Sequence, residues 1–319
     1  MAWWIRPSQL RAQGIMGMNA RNIDFISQYN DRRLYPLVDN KLKTKLIAEE
    51  SEVNSPSLHG VIRQQHEVKK LMDFLTGLEG FAIKPARGSG GKGILVIVGR
   101  DGDAFIRASG KKMSLAAIQR HVTNILAGLY SLAGAPDTAL IEGLIRADDL
   151  FADYSFQGVP DIRIIVFKGY PVMAMLRLST QQSDGKANLH QGAIGVGLDM
   201  SSGQAVHAVQ FEKRLTHHPD TGAALNQIQI PDWTDLLKLA SRCYEMTGLG
   251  YLGTDIVLDA DRGPMLLELN ARPGLTIQVA NGTGLLPRLR HIETLDQPKA
   301  TSEERVDYVQ EYFRAKPLI

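Results

Sequence analysis

Two stretches of sequence decide the fold: FAIKPARGSGGKGILVIV at Phe81–Val98 and GTDIVLDADRGPMLLELNARPG at Gly253–Gly274. The first predicts two β-strands joined by a glycine loop, with a lysine at each edge of the loop. The second predicts a β-hairpin that carries one acid on its first strand and an acid and an amide on its second. Together the two stretches predict a binding place for a nucleoside triphosphate and the metal ions that accompany it.

The composition is that of an ordinary globular protein, with 319 residues of which 44% are hydrophobic and 22% charged. This length predicts two or three subdomains packed as one body. A formal net charge of +2 gives no reason to expect nucleic acid or an anionic membrane as a partner. The one cysteine, Cys243, excludes an intramolecular disulfide, and its helical surroundings predict a buried structural thiol. No stretch reads as a signal peptide or a membrane span, so we expect a cytoplasmic protein.

Antiparallel hairpins alternate with helices along the chain, without the regular rhythm of a doubly wound sheet. This order predicts an α+β fold. Helices are predicted at residues 41–50, 65–78, 114–131, 232–247 and 302–315. Strands are predicted on both sides of the glycine loop within 81–98, at 138–145, in a hairpin of 161–167 with 172–178, and in the hairpin that begins at 253. The polar loop 179–195 is long enough to be functional rather than a mere connector.

The glycine flap, residues 88–93, satisfies the pattern G-x-G-x-x-G, but its context excludes two familiar sites. A helix follows the loop in a dinucleotide-binding fingerprint, whereas the β-branched run 94–98 predicts a strand. A P-loop is excluded because Ala86 stands where its first glycine belongs and Gly93 where a serine or threonine belongs. We predict a flap whose backbone N–H groups close over phosphates, with the Lys84 ammonium beside them as a point charge. The flap residues predicted to bind the nucleotide are Gly88, Ser89, Gly90, Gly91, Lys92 and Gly93. The alternative is a solvent-exposed glycine turn with a solvated lysine.

The acidic hairpin, residues 253–270, predicts a metal site. Its turn at 260–264 places Asp255 opposite Glu268 as a cross-strand neighbour. Two carboxylates in this position repel each other unless a cation lies between them, and with Asn270 they offer the hard oxygen ligands that suit Mg²⁺. The alternation of a strand predicts Leu266, Glu268 and Asn270 on one face, and Leu267 and Leu269 in the core. The alternative is the polar outer face of a half-exposed sheet.

Arg163 and Arg177 lie on adjacent strands of one predicted hairpin. Their guanidinium groups can clamp phosphoryl oxygens or a substrate carboxylate there, so we predict them as catalytic residues together with Lys84. The alternative for either arginine is ion pairing at the surface, for instance with Asp161.

Two further segments are candidates for nucleotide contacts. Asn188 and His190 lie in the long loop, where a structural histidine is the commoner alternative. The extended segment Leu140–Ile145 offers backbone N–H and C=O groups to an adenine edge, and Asp148 or Asp149 can then meet the ribose hydroxyls. The residues predicted at the adenine are Glu142, Gly143, Leu144 and Ile145.

These motifs resemble those of the ATP-grasp superfamily of carboxylate–amine ligases. Within it the chain is similar to the α-L-glutamate ligases that modify ribosomal protein tails, and closer still to the α-L-glutamate ligase-like proteins. The resemblance runs from about Asn40 to Leu285. The segments that carry it are the opening MNARNIDFISQYNDRRLYPLVDNKLKTK at 18–45 with its Asn40–Lys45 motif, Ile83–Pro85, the glycine flap, Ile141–Glu142, Asp161–Arg163, Asn188–Gly192 and Glu268–Gly274.

The resemblance implies an ATP-grasp fold in which ATP lies between two α+β subdomains. It implies that Lys41 and Lys84 contact the phosphates and that the backbone after Glu142 contacts adenine. It also implies two Mg²⁺ ions, for which Mn²⁺ can substitute, on Asp255, Glu268 and Asn270. The predicted divisions are an N-terminal extension at 1–38, a first subdomain with the flap at 39–137, a second subdomain with the metal site at 138–290, and a C-terminal helical tail at 291–319.

The implied activity is that of an ATP- and Mg²⁺-dependent ligase that joins a carboxylate to an amine through an acylphosphate. It would add glutamate or another amino acid to a peptide or small-molecule acceptor. Two departures leave these substrates open: the α/β domain that usually comes first is missing or reduced, and Gln191 and Lys186 stand where arginines are usual. A protein partner or a second copy of the chain is therefore expected to complete the substrate site. The alternatives are an ATP-grasp kinase acting on a small molecule and a nucleotide-binding regulatory protein without turnover.

Overall fold

The computed structural model describes residues 6–88, 90–131 and 134–315. The α-helices are α1 Pro7–Ala12, α2 Met18–Ala20, α3 Ser27–Tyr29, α4 Pro36–Asp39, α5 Lys41–Glu50, α6 Leu71–Leu75, α7 Leu115–Leu126, α8 Trp233–Thr247, α9 Thr276–Asn281, α10 Leu286–Glu293 and α11 Ser302–Ala315. The strands are β1 Leu58–Ile62, β2 Phe81–Pro85, β3 Leu95–Asp101, β4 Ala104–Arg107, β5 Lys112–Met113, β6 Ala139–Gly143, β7 Asp161–Phe167, β8 Tyr170–Leu178, β9 Ile194–Leu198, β10 Ala205–Gln210, β11 Lys213–Arg214, β12 Tyr251–Asp259 and β13 Gly263–Asn270. Short 3₁₀ segments lie at Arg32–Leu34, Gln65–Lys70, Asp149–Phe151, Leu189–Gln191 and Leu225–Gln227, and a π-helical segment, Arg21–Ile26, joins α2 to α3.

The strands form two antiparallel sheets. The six-stranded sheet has the order β1-β6-β2-β3-β4-β5, and the seven-stranded sheet has the order β11-β10-β9-β8-β7-β12-β13. Helices pack against both sheets, so the predicted α+β class is confirmed. Within the described ranges, no helix combines the length and the apolar character that crossing a membrane requires.

The six-stranded sheet has its own hydrophobic core, which α6 and α7 cover. Ser114 caps α7 by accepting an N–H hydrogen bond from its first turn at 3.3 Å. The buried residues Ile118, Val122 and Ile125 recur along α7 at the spacing of one helical face. This sheet supports the glycine flap, which connects β2 to β3.

Strand β6 belongs to the six-stranded sheet. It pairs with β1 on one side and β2 on the other, so that Glu142 lies opposite both Leu58 and Ala82. The predicted boundary after residue 137 assigns this strand to the second subdomain. In the structure β6 instead shares a sheet with β1 and β2, which precede it in the chain. Pairing between distant segments decides which sheet a strand joins.

The seven-stranded sheet carries the larger core, which includes residues from both ends of the described chain. Phe25, in the N-terminal segment, packs edge-on against Phe167 of β7 with 5.5 Å between ring centroids. Phe313 of α11 is buried in the same core. The described parts of the predicted extension (1–38) and of the predicted tail (291–319) are therefore integral to this body.

Two predicted helices end earlier than their sequence patterns indicate. The predicted helix at 65–78 is a 3₁₀ segment followed by α6, which ends at Leu75. Helix α7 ends at Leu126 because the chain turns through Gly128 at φ +79°, where the carbonyl oxygen of Ala135 would lie 2.4 Å from a Cβ atom.

Helix α8 follows its prediction closely. Cys243 is buried on its inner face, as predicted, and burial raises the pKa of the thiol to about 12. The helix ends at Thr247, and Gly248 after it adopts the left-handed conformation typical of helix C-termini.

Candidate functional site

The glycine flap, residues 88–93, is held at both ends. Gly88 forms an isolated antiparallel bridge with Ser131. At the other end, the carbonyl oxygen of Gly93 lies 2.9 Å from Nε2 of His121 on α7. The flap is therefore anchored to α7 and to the turn that follows it.

The middle of the flap has the backbone that its glycines permit. Gly90, Gly91 and Gly93 have φ angles of +62°, +74° and +77°, which residues with side chains rarely adopt. Lys92 is exposed, and Ser89, a predicted nucleotide contact, lies outside the described residues. The loop has the conformational freedom that the predicted phosphate flap needs.

Lys41 connects the flap, α5 and the acidic hairpin. Asn40 caps α5 by accepting two N–H hydrogen bonds from its first turn, and the N–H of Lys41 donates to the carbonyl of Ala86 at 2.8 Å. The Lys41 ammonium then donates to the carbonyl of Gly88 and to Glu268 Oε1, each at 2.9 Å. One cation therefore lies where the edge of the flap meets the hairpin.

Lys45, Lys84 and Glu142 form a lysine cluster between α5, β2 and β6. Glu142 Oε1 lies 3.2 Å from the Lys45 ammonium, and Glu142 Oε2 accepts a hydrogen bond from Lys84 at 2.7 Å. All three side chains are buried. Burial alone would raise the pKa of Glu142, but the two ammonium groups overcome it and lower that pKa. Burial lowers the pKa of Lys45, even though Glu142 acts in the opposite direction.

Lys45 belongs to the Asn40–Lys45 motif but is not among the predicted site residues. It follows Lys41 by one helical turn on α5, so the two side chains share a face of that helix. Once Lys41 is predicted at the phosphates, this spacing also directs Lys45 toward the same region.

The cavity at the lysine cluster is too small for a nucleotide. Its volume is about 20 Å³, which is room for about one water molecule. Its lining includes Lys41, Lys45, Lys84, Glu142, Leu267 and Glu268. Lys84, which is predicted to contact the phosphates, is therefore engaged by Glu142 in this structure.

The segment after β6 crosses from the six-stranded sheet to the end of the acidic hairpin. The carbonyl of Leu144 accepts a hydrogen bond from Arg262 at 3.4 Å, and the N–H of Asp148 donates to the carbonyl of Leu258 at 3.2 Å. Asp149 is exposed in the 3₁₀ segment that follows. The predicted adenine and ribose contacts on this crossing are Gly143, Leu144, Ile145 and Asp149.

The acidic hairpin forms as β12 and β13, with Asp255 opposite Glu268 as predicted. The register then shifts, because Ile256 pairs with Leu266 and leaves Leu267 as the extra residue of a β-bulge. Leu266 is buried and Leu267 is partly exposed. The prediction that Leu267 points into the core and Leu266 points outward is therefore wrong, since the bulge interrupts the alternation at this point.

Arg163, Arg177, Asp161 and Asp255 form a buried arginine cluster on β7, β8 and β12. Arg163 donates to both oxygens of Asp255 at 2.7 and 2.6 Å. Arg177 donates to Asp255 at 2.8 Å and to Asp161 at 2.5 Å. The alternative that paired Arg177 with Asp161 is thus observed, but the pair is buried rather than at the surface. Whether the two arginines also clamp a substrate stays a prediction.

The two carboxylates of the arginine cluster differ in their pKa. Burial alone would raise the pKa of Asp255, but Arg177 and Arg163 hold it down to about 2. Burial raises the pKa of Asp161 to about 6, although Arg177 acts in the opposite direction. As the pH falls, Asp161 therefore takes up a proton before Asp255 does.

The predicted metal ligands Asp255, Glu268 and Asn270 differ in their availability. Both oxygens of Asp255 accept hydrogen bonds from guanidinium groups, which compete with a cation for this carboxylate. Glu268 is more accessible, with 37% of its side chain exposed, and Asn270 Nδ2 is buried with no hydrogen-bond partner in the described chain. No group of three or more His, Cys, Asp or Glu side chains is poised for a metal ion among the residues described. The donor set of two carboxylates and one side-chain amide fits Mg²⁺, which few protein oxygens hold; Glu268 Oε1 is bonded to Lys41, and Asp255 is covered by the arginines.

Asn188 and His190 lie in a different place. The N–H of His190 donates to the Asn188 side chain at 3.0 Å, and His190 lines a cavity of about 240 Å³ together with Phe211 and Glu212. Neither side chain makes a hydrogen bond to the lysine or arginine cluster within the part of the chain that the structure describes. Their role as nucleotide contacts stays a prediction.

The chain is similar to several known proteins. It is 28% identical to a probable alpha-L-glutamate ligase of Stenotrophomonas maltophilia (strain K279a) over 140 residues, which are 43% of this chain and 36% of the relative. It therefore spans about a third of the length of the curated relatives that it matches.

Among solved structures, the chain is similar to a RimK domain protein ATP-grasp from Sphaerobacter thermophilus DSM 20745, with a TM-score of 0.46, 13% identity and coverage of 82% of this chain and 70% of that one. It is also similar to D-alanyl-alanine synthetase A from Vibrio cholerae O1 biovar eltor str. N16961, with a TM-score of 0.47, 11% identity and coverage of 88% and 66%.

A family model decides the classification. The model described as sugar-transfer associated ATP-grasp matches residues 20–294. This range contains the glycine flap, the lysine cluster, the arginine cluster and the acidic hairpin. The ATP-grasp fold and superfamily predicted from the sequence are thereby confirmed. The chain belongs to the sugar-transfer associated ATP-grasp family.

Proposed function

We propose that this protein is an ATP- and Mg²⁺-dependent ligase that joins a carboxylate to an amine. The observation that carries the proposal is the double contact of Lys41, whose ammonium bonds the flap at Gly88 and the acidic hairpin at Glu268. A triphosphate needs backbone N–H groups and a cation, and its metal needs carboxylate and amide oxygens. Both sets of groups meet at this one point.

The nucleotide would lie between the two sheets, with its phosphates under the flap. Lys41 and Lys84 are the proposed cations for the phosphate oxygens. The backbone of 143–145 is proposed for adenine and Asp149 for the ribose hydroxyls. Because Lys84 pairs with Glu142 at 2.7 Å, it would exchange this carboxylate for phosphate when the nucleotide enters.

Glu268, Asn270 and Asp255 would hold the Mg²⁺ ions, with Mn²⁺ as a substitute. The bound metal would supply positive charge for the phosphoryl oxygens. Asp255 becomes free only when Arg163 and Arg177 release it. That release would turn two guanidinium groups toward the phosphoryl group, where charge develops.

The proposed reaction has two steps. An oxygen of the substrate carboxylate attacks the γ-phosphorus, the bond from this phosphorus to the bridging oxygen breaks, and ADP leaves with the electron pair. The amine then attacks the acyl carbon, the bond from that carbon to the phosphate oxygen breaks, and inorganic phosphate leaves while the nitrogen loses a proton. Lys84, Arg163 and Arg177 would act by positioning groups and neutralising charge.

Glutamate is the proposed amine because the curated relatives are probable alpha-L-glutamate ligases. Another amino acid, and a peptide or small-molecule acceptor, remain within the same proposal. The polar loop 179–195 has Gln191 and Lys186 where arginines are usual in the α-L-glutamate ligases. A partner protein or a second copy of the chain is proposed to complete the acceptor site.

The proposed reaction is tested by following an oxygen atom of the substrate carboxylate into inorganic phosphate. The protein is incubated with ATP, pooled amino acids, and pooled carboxylic acids whose carboxylate oxygens are labelled with ¹⁸O. The masses of the products are then measured by mass spectrometry. We expect ADP, inorganic phosphate that carries one ¹⁸O atom, and an amide. A phosphorylated product that keeps all of its label would instead identify a kinase, and no ADP with any pool would identify a nucleotide-binding protein without turnover.

Glu268→Gln tests the metal site. The substitution keeps the shape of the side chain and removes the charge proposed to hold Mg²⁺, so we expect ADP release to fall at least about 100-fold. Mg²⁺ should also cease to tighten binding of the non-hydrolysable analogue AMPPNP, measured by calorimetry. The unfolding temperature should change little, because the side chain is partly exposed.

The matched control Glu311→Gln changes an exposed glutamate of α11. ADP release from Glu268→Gln at the rate of the control would remove Glu268 from the site.

Asp255→Asn tests the ion pairs that cover the second metal ligand. At pH 7 we expect the free energy of unfolding to fall by about 3–5 kcal/mol, because Arg163 and Arg177 lose the carboxylate that they share and only Arg177 keeps a second one, Asp161. The pKa of Asp255 is lowered to about 2 in the folded chain, against roughly 3.9 in an unfolded one. The stabilisation is thus present above pH 4 and disappears between pH 4 and pH 2.

The pH dependence is measured by urea unfolding of the wild type, Asp255→Asn and the control Asp103→Asn, which alters an exposed turn residue. The gap between the wild type and Asp255→Asn should narrow as the pH falls from 4 toward 2. A gap that stays constant over this range, or a control that loses as much stability as Asp255→Asn, would contradict the ion pairing.

A further inference from the structure

A cleft of about 650 Å³ opens beside Lys41 and Glu268, and we call it the basic cleft. Its cationic lining residues are Arg32, Lys41, Lys43, Arg87 and Arg272. Two carboxylates, Asp39 and Glu268, also line it. The whole chain has a formal net charge of only +2, so this excess of cations in one cleft is a local feature.

The two carboxylates of the basic cleft are already engaged. Glu268 accepts a hydrogen bond from Lys41 at 2.9 Å, and Asp39 lies 3.6 Å from Arg272. The remaining cations, Arg32, Lys43 and Arg87, have no acidic partner within the described residues. A cleft of this size that keeps three cations unpaired is suited to an anionic ligand.

The three unpaired cations come from separate, well-anchored elements. Arg32 lies in the 3₁₀ segment before α4, Lys43 in the first turns of α5, and Arg87 directly after β2. The N–H of Arg87 donates to both carboxylate oxygens of Asp137 at 3.0 and 3.1 Å, which fixes its backbone. The convergence on one cleft is therefore produced by the fold rather than by one stretch of basic sequence.

The neighbouring Arg33 shows the contrast. It bonds Asp31, its side chain is 89% exposed, and it does not line the basic cleft. Adjacent arginines thus have different environments: Arg33 is neutralised by a local acid, whereas Arg32 faces the cleft without one.

We propose that the basic cleft binds the carboxylate substrate, and that this substrate is a small molecule with a second anionic group, a carboxylate or a phosphate, held by Arg32, Lys43 and Arg87. The inference rests on the proposed ligase function, because the reacting carboxylate has to approach the γ-phosphate next to Lys41 and Glu268. The triphosphate has its own partners in Lys41, Lys84 and the flap. The three unpaired cations are therefore left for the second anionic group.

Binding is measured by calorimetry with three probes: tricarballylate, which carries only carboxylates, 3-phosphoglycerate, which carries a carboxylate and a phosphate, and glycerate, which carries one carboxylate. Each is titrated into the full chain with and without saturating Mg²⁺ and AMPPNP. We expect tricarballylate or 3-phosphoglycerate to bind at least tenfold more tightly than glycerate. Tighter binding of tricarballylate would identify the second anionic group as a carboxylate, and tighter binding of 3-phosphoglycerate would identify it as a phosphate.

The variant combines Arg32→Gln, Lys43→Gln and Arg87→Gln, and its matched control combines Arg33→Gln, Lys69→Gln and Lys111→Gln. Both remove the same charge, and the control residues are exposed and outside the cleft. We expect the cleft variant to bind the preferred probe at least about 100-fold more weakly, since each charge-assisted hydrogen bond contributes about a factor of ten. AMPPNP binding should stay within threefold of the wild type, and the control should match the wild type for every ligand.

Three results would overturn the inference: no probe binding at 10 mM in either condition, equal probe binding by the cleft variant and the control, or a loss of AMPPNP affinity in the cleft variant as large as its loss of probe affinity. The last would assign the three cations to the nucleotide. Failure of the proposed function has a separate signature, because the oxygen-labelling experiment would then yield neither an amide nor ¹⁸O-labelled inorganic phosphate, while probe binding to the free chain would still report on the cleft.

Discussion

The site depends on one ammonium group. Lys41 donates to the carbonyl of Gly88, in the flap that follows β2 of the six-stranded sheet, and to the carboxylate of Glu268, in β13 of the seven-stranded sheet. The contact brings the edge of a glycine loop against the end of an acidic hairpin. Since α5 begins at Lys41 and is capped by Asn40, the position of the cation is set by helix geometry rather than by a flexible side chain alone.

Around this contact the charges are largely buried and each is paired with a charge of opposite sign. The lysine cluster sets two ammonium groups against Glu142, and the arginine cluster sets two guanidinium groups against Asp161 and Asp255. Such groups are costly to bury, and breaking one pair leaves an uncompensated charge. A ligand that brings both negative phosphates and positive metal ions can replace these pairs without leaving either sign unbalanced. This complementarity supports the proposal that a nucleotide with its metal ions binds here.

Local patterns in the sequence predicted the parts of this site that depend on local geometry. The β-branched run after the flap predicted β3, and the turn of the acidic hairpin predicted Asp255 opposite Glu268. Both follow from short-range rules of strand alternation and turn length. The bulge at Leu267 was not predicted, because an inserted residue leaves the hydrophobic pattern nearly unchanged while it exchanges the two faces.

Other features depend on contacts between distant residues. The sheet to which β6 belongs is decided by its pairing with β1 and β2, and Phe25 is buried because a strand far along the chain packs against it. The pairing of Arg163 and Arg177 with Asp255 is equally non-local. The arginines and Asp255 were predicted as separate site residues. That they would form ion pairs with one another was not predicted.

The most direct test of the Lys41 junction as the nucleotide site is a crystal structure of the full chain with Mg²⁺ and AMPPNP. We expect the terminal phosphates under the glycine flap, within hydrogen-bond distance of Lys41 and Lys84, and electron density for metal at Glu268 and Asn270. Lys84 should then have released Glu142. A nucleotide bound elsewhere, with the Lys41–Glu268 and Lys84–Glu142 contacts unchanged, would contradict this assignment.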